Sequence, residues 1–460
     1  MPKPSERTTI KVQSELTVLA AVRLPDSRHD PRDPFGELRA LAAQAGATVV
    51  GELAQSRDRP VAGTYIGRGK LDELKALCEM TDAGTIIFDH DLSPKQIANI
   101  EEATERKVLD RSELILDIFA SRATTHAAKL QVELAQLEYT YPRLRAMWSH
   151  LERIAGGSPQ GIGTRGPGEQ QLEIDRRLVK NRKAMLQREL REIEARKQRE
   201  VAKRKQSSFT VGLVGYTNAG KSTLFNTLTA GGAYADDRLF ATLMTRTREW
   251  DLGAGETVML SDTVGFVRDL PHDLIASFKA TLEEATHADL LLIVLDVADP
   301  AAELHYETVT RTLDDLDDGA RRAEGLDYRP PERLLLLNKV DLLPDNRELL
   351  IWQANVKNAI PICALPSPDG SPIRGHAELI ARVRDAATGA MLELELVVPL
   401  SDSRTISILE NRAEIVDRQY ENGAARLKVR IGRRQLDRLR SAGSRFQIVG
   451  EATTTPAWRT

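Results

Sequence analysis

Apolar runs of strand length alternate with segments of helical spacing along most of this 460-residue chain, the order expected of parallel strands joined by crossover helices. In the first quarter, Thr17–Arg23, Thr48–Leu53, Thr85–Asp89 and Lys107–Leu109 read as strands. Helices are predicted near Asp33, from Leu71, and at Ser93-Pro94, where the serine caps and the proline takes the first turn. The period then changes. Leu130, Leu134, Leu137, Tyr141, Leu144, Trp148 and Leu151 advance in steps of four and three, the seam of a coiled coil, with Pro142 set to kink or split it. Leu172, Val179, Leu186 and Ile193 recur every seven residues beyond a glycine-rich stretch, so the two arms are predicted to pack antiparallel as a hairpin. A second strand series follows at Phe209–Val214, Thr257–Leu260, Leu290–Val297 and Leu334–Leu337. The last part reads as a strand (Leu392–Val398), a helix (Arg404–Arg412) and a β-hairpin (Ile415–Arg430) turning at Glu421-Asn422-Gly423. A basic helix with Arg433, Arg434, Arg438 and Arg440 and a strand, Arg445–Val449, complete it.

These patterns divide the chain into a disordered polar tail (1–15), an N-terminal α/β domain (16–125), a helical hairpin with a Gly-rich tip (126–206), a larger α/β domain (207–386) and a small C-terminal α+β domain (387–460). Length alone suggests about three domains. Hydrophobic residues at 41% supply real cores, and 28% charged residues supply a soluble surface. Met1 to Glu15 lacks the apolar centre of a signal peptide, and Leu290–Val297 is too short to span a bilayer. Two cysteines, Cys78 and Cys363, make neither a disulfide framework nor a metal cluster. The expectation is a cytoplasmic monomer without a membrane span.

Candidate chemistry sharpens the picture of the larger domain. Gly215-Tyr216-Thr217-Asn218-Ala219-Gly220-Lys221-Ser222-Thr223 lies between a strand and a helix, the setting of a phosphate-binding loop. Its backbone N–H groups would converge on phosphate, Lys221 would reach the β/γ-phosphates, and the Ser222 hydroxyl would ligate Mg²⁺. Asn338-Lys339-Val340-Asp341 leaves the strand Leu334–Leu337, and its carboxylate can accept from N1–H and the 2-amino group of guanine, a pair that adenine lacks. Asn338 would hold neighbouring loops and reach N7, and the Lys339 stem would cover the base. Cys363-Ala364-Leu365, after the next strand, would touch the guanine O6. Asp262-Thr263-Val264-Gly265 supplies a Mg²⁺-shell carboxylate and an N–H for the γ-phosphate. In Phe240-Ala241-Thr242-Leu243-Met244, Thr242 is the switch threonine that Mg²⁺ would order when GTP is bound. GTP and GDP are the expected ligands, Lys221, Thr242, Gly265 and Asn218 the catalytic set, and Ser222, Thr242 and Asp262 the metal set. Phe266 stands where many GTPases place a water-orienting glutamine, which predicts slow intrinsic hydrolysis. Asn218 can seat a potassium ion beside the phosphates, or simply stabilise the loop. Tyr65-Ile66-Gly67-Arg68-Gly69-Lys70 lacks the spacing and the hydroxyl of a second phosphate loop and reads as a basic turn.

The hairpin is the other candidate. Six glycines fall among residues 156–169, and residues 176–205 carry thirteen Lys/Arg against four Glu, an excess suited to nucleic-acid phosphate. The tip Gly161-Ile162-Gly163-Thr164-Arg165-Gly166-Pro167-Gly168-Glu169, the phosphate loop, Phe240-Ala241-Thr242-Leu243 and Asp262-Thr263-Val264-Gly265-Phe266 followed by Leu270-Pro271-His272 together resemble the HflX family of ribosome-associated GTPases. Met244 departs from the acidic residue common there, and Gln170 from threonine. The resemblance implies a P-loop GTPase domain, with an N-terminal domain and helical hairpin that enter the peptidyl-transferase region of the large ribosomal subunit. It also implies GTP hydrolysis stimulated by that subunit and a role in splitting or rescuing stalled ribosomes under stress. On the same resemblance Gly163, Thr164, Arg165, Gly166 and Gly168 contact rRNA. The competing reading is a GTPase that serves an RNA-modifying enzyme, with the hairpin as its partner arm.

Overall fold

A computed structural model of the chain describes residues 15–25, 33–139, 177–193, 208–229, 246–253, 256–263, 265–268, 287–325, 328–365, 374–389, 391–421, 423–441 and 443–453, with isolated positions between 195 and 199. Residues 1–14 of the expected polar tail, the hairpin tip and the Phe240–Met244 segment lie outside these residues, as does Val264.

The first sheet has strand order β2-β1-β3-β4, all parallel: β1 Leu16–Arg23, β2 Thr48–Ser56, β3 Thr85–Phe88 and β4 Lys107–Asp110. Helices α1 (Gly36–Gln44), α2 (Arg68–Thr81), α3 (Pro94–Thr104) and α4 (Arg111–Arg122) make the crossovers. Ser93 caps α3 in a reciprocal capping box with Gln96, with Pro94 in the first turn as expected. β1 is buried on both faces, so its run is continuously apolar rather than alternating. Leu19, Leu38 and Phe119 fill one face of the sheet and Val18, Leu74 and Phe88 the other. The supposed basic turn at Tyr65–Lys70 is only half a turn. Gly67 occupies the cap position, and Arg68-Gly69-Lys70 is the first turn of α2.

Helices 126–139 (α5) and 177–193 (α6) are the bases of the hairpin arms. Leu130, Leu134, Leu186 and Leu190 form their shared seam, with Leu137 and Ile193 packed against it. His126 meets Glu189 and, seven residues on, Glu133 meets Arg182, so position numbers rise on one arm as they fall on the other. The arms are therefore antiparallel, as the leucine spacing predicts.

The second sheet has order β10-β9-β8-β5-β7-β6. β5 (Thr210–Gly215) lies between β8 (Leu290–Asp296) and β7 (Glu256–Asp262), parallel to both. β9 (Glu332–Asn338) and the short β10 (Ile360–Pro361) extend it in parallel, and β6 (Arg246–Gly253) closes the other edge antiparallel. Helix α7 (Lys221–Leu228) follows β5, and the long α8 (Ala302–Glu324) follows β8. The strands foreseen from their apolar runs are all present. β6 was not legible, because RTREWDLG is an edge strand with only Trp250 and Leu252 buried. The third sheet is built from β11 (Met391–Pro399), β12 (Glu414–Glu421), β13 (Ala424–Gly432) and β14 (Gln447–Thr453) in the order β12-β13-β11-β14; it is antiparallel and carries two helices on one apolar face around Leu394, Leu409, Leu427 and Leu436.

Candidate functional site

The expected nucleotide residues come from the carboxyl ends of adjacent parallel strands, where α/β sheets place their ligands. β5 ends in Gly215, β7 in Asp262, β9 in Asn338, and β10 leads into Ile362 and Cys363. The loop Gly215–Gly220 turns into α7, with Asn218 at φ 61° and Gly220 at φ 95°. A Cβ on Gly220 would lie 2.3 Å from Asn338 Nδ2, so only glycine fits there.

Asn338 joins three loops. Its amide donates to the Ala219 carbonyl at 2.7 Å, and its oxygen accepts from Ala364 N–H at 3.0 Å. Thr227 of α7 donates to the Ala364 carbonyl at 2.9 Å, fixing the same loop from below. Asp341 sits in a 3-10 turn (Val340–Leu342) and accepts from the Cys363 thiol at 3.2 Å. Burial, aided by that carboxylate, pushes the Cys363 thiol pKa up. The thiol is thus a donor to Asp341, and it leaves the other carboxylate oxygen for a base. Lys339 pairs with Asp296 at 2.6 Å across the top of β8. Leu365 is exposed beside this group.

Lys221 is buried and donates to the carbonyls of Gly215 and Tyr216 at 3.1 and 2.7 Å. Burial lowers its pKa to about 8, with Asp262 acting in the opposite sense. Ser222 donates to Asp262 at 2.8 Å, so a hydroxyl and a carboxylate oxygen stand together below the loop. Hard oxygen donors of this kind suit Mg²⁺. Thr263 is tied to the Leu213 carbonyl at 2.7 Å. Gly265 crosses directly above the loop. A Cβ on it would lie 2.9 Å from Thr217 Cγ2 and 3.0 Å from Lys221 Nζ. Phe266 then pairs with the loop itself, its N–H bonding Gly215 O at 3.0 Å and its carbonyl accepting from Thr217 N–H at 2.8 Å. The Phe266 ring is buried in the core, which is why an apolar residue stands there.

The sequence reading missed the group next to this site. Arg111, at the start of α4, is 1% exposed and bonds Asp89 at 2.6 Å and Glu37 at 2.9 Å. Arg268, just past Phe266, meets the same two carboxylates from the other side, Asp89 at 2.8 Å and Glu37 at 3.5 Å. Tyr216 of the phosphate loop donates to Glu37 at 2.5 Å and accepts from Arg268 N–H at 2.9 Å. Its ring stacks on His305 with centroids 3.8 Å apart. Burial opposes ionisation of Glu37, but Arg111, Arg268 and the Tyr216 hydrogen bond together hold its carboxyl below the usual range. Burial, then Glu37, pushes the Tyr216 phenol well up, so it stays a donor. Two cations and two carboxylates are therefore balanced at the junction of the first sheet and the phosphate loop. Asp89 and Arg111 do follow β3 and β4, the strand ends where such groups collect, but nothing local pairs them with Arg268.

Comparison with known proteins bears on the family. Residues 32–120 match the family model "GTP-binding GTPase N-terminal", 122–204 the "GTP-binding GTPase Middle Region" and 210–339 the "50S ribosome-binding GTPase". A GTPase HflX of Caldanaerobacter subterraneus is 38% identical over 421 residues, covering 90% of this chain and 91% of that one. A GTPase HflX of Lacrimispora saccharolytica is 46% identical over 315 residues, 68% of this chain and 73% of its own. Among solved structures, a GTP-binding protein from Sulfolobus solfataricus in complex with GDP is 25% identical, over 81% of this chain and 98% of that one, with a TM-score of 0.40. With a relative 38% identical across nine-tenths of its length, the chain belongs to the HflX family of GTPases.

Proposed function

We propose that this chain is a Mg²⁺-dependent GTPase that binds the large ribosomal subunit near the peptidyl-transferase region and splits or rescues stalled ribosomes in the cytoplasm under stress. The subunit stimulates its hydrolysis. The loop from Gly215 to Thr223 cradles the phosphates, Asp341 reads guanine, and Ser222, Thr242 and Asp262 hold the metal. Mg²⁺ bound there would offset charge on the β- and γ-phosphate oxygens. Lys221 is desolvated and poised for an anion, and its ammonium is fully charged once a phosphate sits against it.

The observation that carries the reading is the position of Gly265. It lies against Lys221, so a third phosphate drawn to that ammonium must displace it. Phe266, Val267 and Arg268 follow Gly265 in sequence, and Arg268 is anchored to Asp89 and Glu37 of the first sheet. That sheet continues into the basic hairpin. Arrival of the γ-phosphate is thereby felt at the base of the arm whose tip, Gly163 to Gly168 with Arg165, would probe rRNA. Phe266 cannot orient water, which leaves hydrolysis slow until the subunit rearranges this segment. Asn218 stands exposed on the loop, open to a potassium ion at the phosphates.

Sedimentation with purified large subunits tests the reading. Association should be strong with a non-hydrolysable GTP analogue and weak with GDP, and it should weaken in Arg165→Ala and at high salt. Equal association with both nucleotides would refute it.

A further inference from the structure

Two contacts diverge from a single peptide link between Asp110 and Arg111. Asp110 ends β4 and is fully buried. Its carboxylate accepts from Glu113 N–H at 2.9 Å, from Leu92 N–H at 3.1 Å, and from the phenol of Tyr139 in α5, the first hairpin arm. Arg111, the next residue, points the other way. It holds Asp89 and Glu37, and it donates to the Arg268 carbonyl at 3.3 and 3.4 Å. A second connection runs through packing. Val267, between Phe266 and Arg268, is 3% exposed in the core of the N-terminal unit, in one cluster with Ala128, Val132 and Ala135 of α5, and Tyr139 packs against the same cluster.

We infer that Tyr139 and Asp110 are the joint through which the hairpin and the γ-phosphate-sensing segment move together, which makes Tyr139 a positioning residue for GTP turnover. Asp110 is fixed by three donors, so a tilt of α5 that carries Tyr139 must either break that bond or turn Asp110 and Arg111 as a unit. Arg111 then shifts against Arg268, and Val267 cannot stay in place because its pocket is lined by the same arm. Tightly packed cores answer such loads in discrete steps rather than by smooth deformation. The inference takes the source of the load from the ribosomal role proposed above, while the linkage itself stands on the contacts of this chain.

Tyr139→Phe tests it, because the ring keeps its packing and only the O–H is lost. Without ribosomes, hydrogen exchange of the full-length protein is compared in GDP and in a non-hydrolysable GTP analogue. Amides of 126–139 should differ in protection between the two nucleotides in the native chain, since coupling is reciprocal. In Tyr139→Phe that difference should vanish while affinity for both nucleotides is kept. With large subunits, the kcat of stimulated hydrolysis should fall about 5- to 20-fold, with basal turnover and the subunit concentration for half-stimulation unchanged. Asp110→Asn, which retains a helix-capping oxygen, should repeat the loss. Exchange in 126–139 that ignores the nucleotide in the native chain overturns the joint, as does full stimulation of both variants. Nucleotide-dependent exchange in a chain that never sediments with subunits would keep the joint and remove the ribosomal role.

Discussion

The guanine-nucleotide loops and the charge cluster around Glu37 adjoin each other, yet they are assembled on opposite principles. In the loops, function resides largely in backbone: strand ends present N–H groups, glycines admit close approach, and each loop is a short contiguous run whose residue types and spacing define it. In the cluster, Glu37, Asp89, Arg111, Tyr216 and Arg268 come from five separate segments, and none has a meaning without the others. On the proposed reading the cluster would convert the loops' grip on a nucleotide into a change elsewhere, because Tyr216 of the phosphate loop and Arg268 just past Phe266 are both part of it.

The largest test of this contrast is Asp341→Asn. An amide keeps one acceptor oxygen but loses the charge and the second acceptor, and sets an N–H against the guanine 2-amino group, so affinity for GDP should fall roughly 10³-fold or more. Xanthine nucleotides should gain, because the amide can donate to the carbonyl that replaces the 2-amino group. Nucleotide titration reads both effects, and unchanged GDP affinity would show that the base is read elsewhere. The cluster should break differently. Arg268→Ala leaves the buried Asp89 and the largely buried Glu37 with Arg111 as the one cation of the cluster, which should cost about 3 kcal/mol in chemical denaturation. Arg39→Ala, at an exposed pair with Asp33 and Glu52, should cost under about 1 kcal/mol. Similar small costs for both would mean that the cluster does not hold the units together.

Lys221 gives a pH test of intermediate size. Its pKa in the free protein is lowered to about 8, and a bound phosphate raises it. The nucleotide complex therefore holds more protons than the free chain above about pH 8. Affinity should be complete below that pH and decline as pH rises from 8 towards the higher pKa of the complex. Calorimetry in buffers of different ionisation enthalpy should show proton uptake on binding near pH 8 to 9, and none would contradict the desolvated lysine. The smallest effect expected is at Asn218. Potassium in place of sodium should raise turnover a few-fold, and Asn218→Ala should remove the difference.

These outcomes bear on what could be read from the residues alone. Continuous apolar runs announced β1, β3, β5, β8 and β9, because strands buried on both faces have no polar alternation to confuse the reading. The leucine seam gave the antiparallel hairpin, and Ser93-Pro94 gave the start of α3. The phosphate and guanine loops were legible because their chemistry is set by spacing. The role of Asn338 in linking loops follows from its place at a strand end, and the thiol of Cys363 reaching Asp341 follows less directly. By contrast, Arg268 looks like any surface arginine in sequence, and Val267 like any strand residue. Their burial depends on a unit that begins far earlier in the chain. β6 escaped notice for the opposite reason, since an edge strand with charged positions carries little apolar signal.

The central claim is that a γ-phosphate held at Lys221 decides whether the basic arm stays lodged in ribosomal RNA. The most direct measurement is co-sedimentation of Lys221→Ala with purified large subunits in the non-hydrolysable GTP analogue, beside the native chain. The native chain should pellet with subunits and the variant should stay in the supernatant, at the level of native protein in GDP. A variant that occupies subunits as fully as the native chain would contradict it.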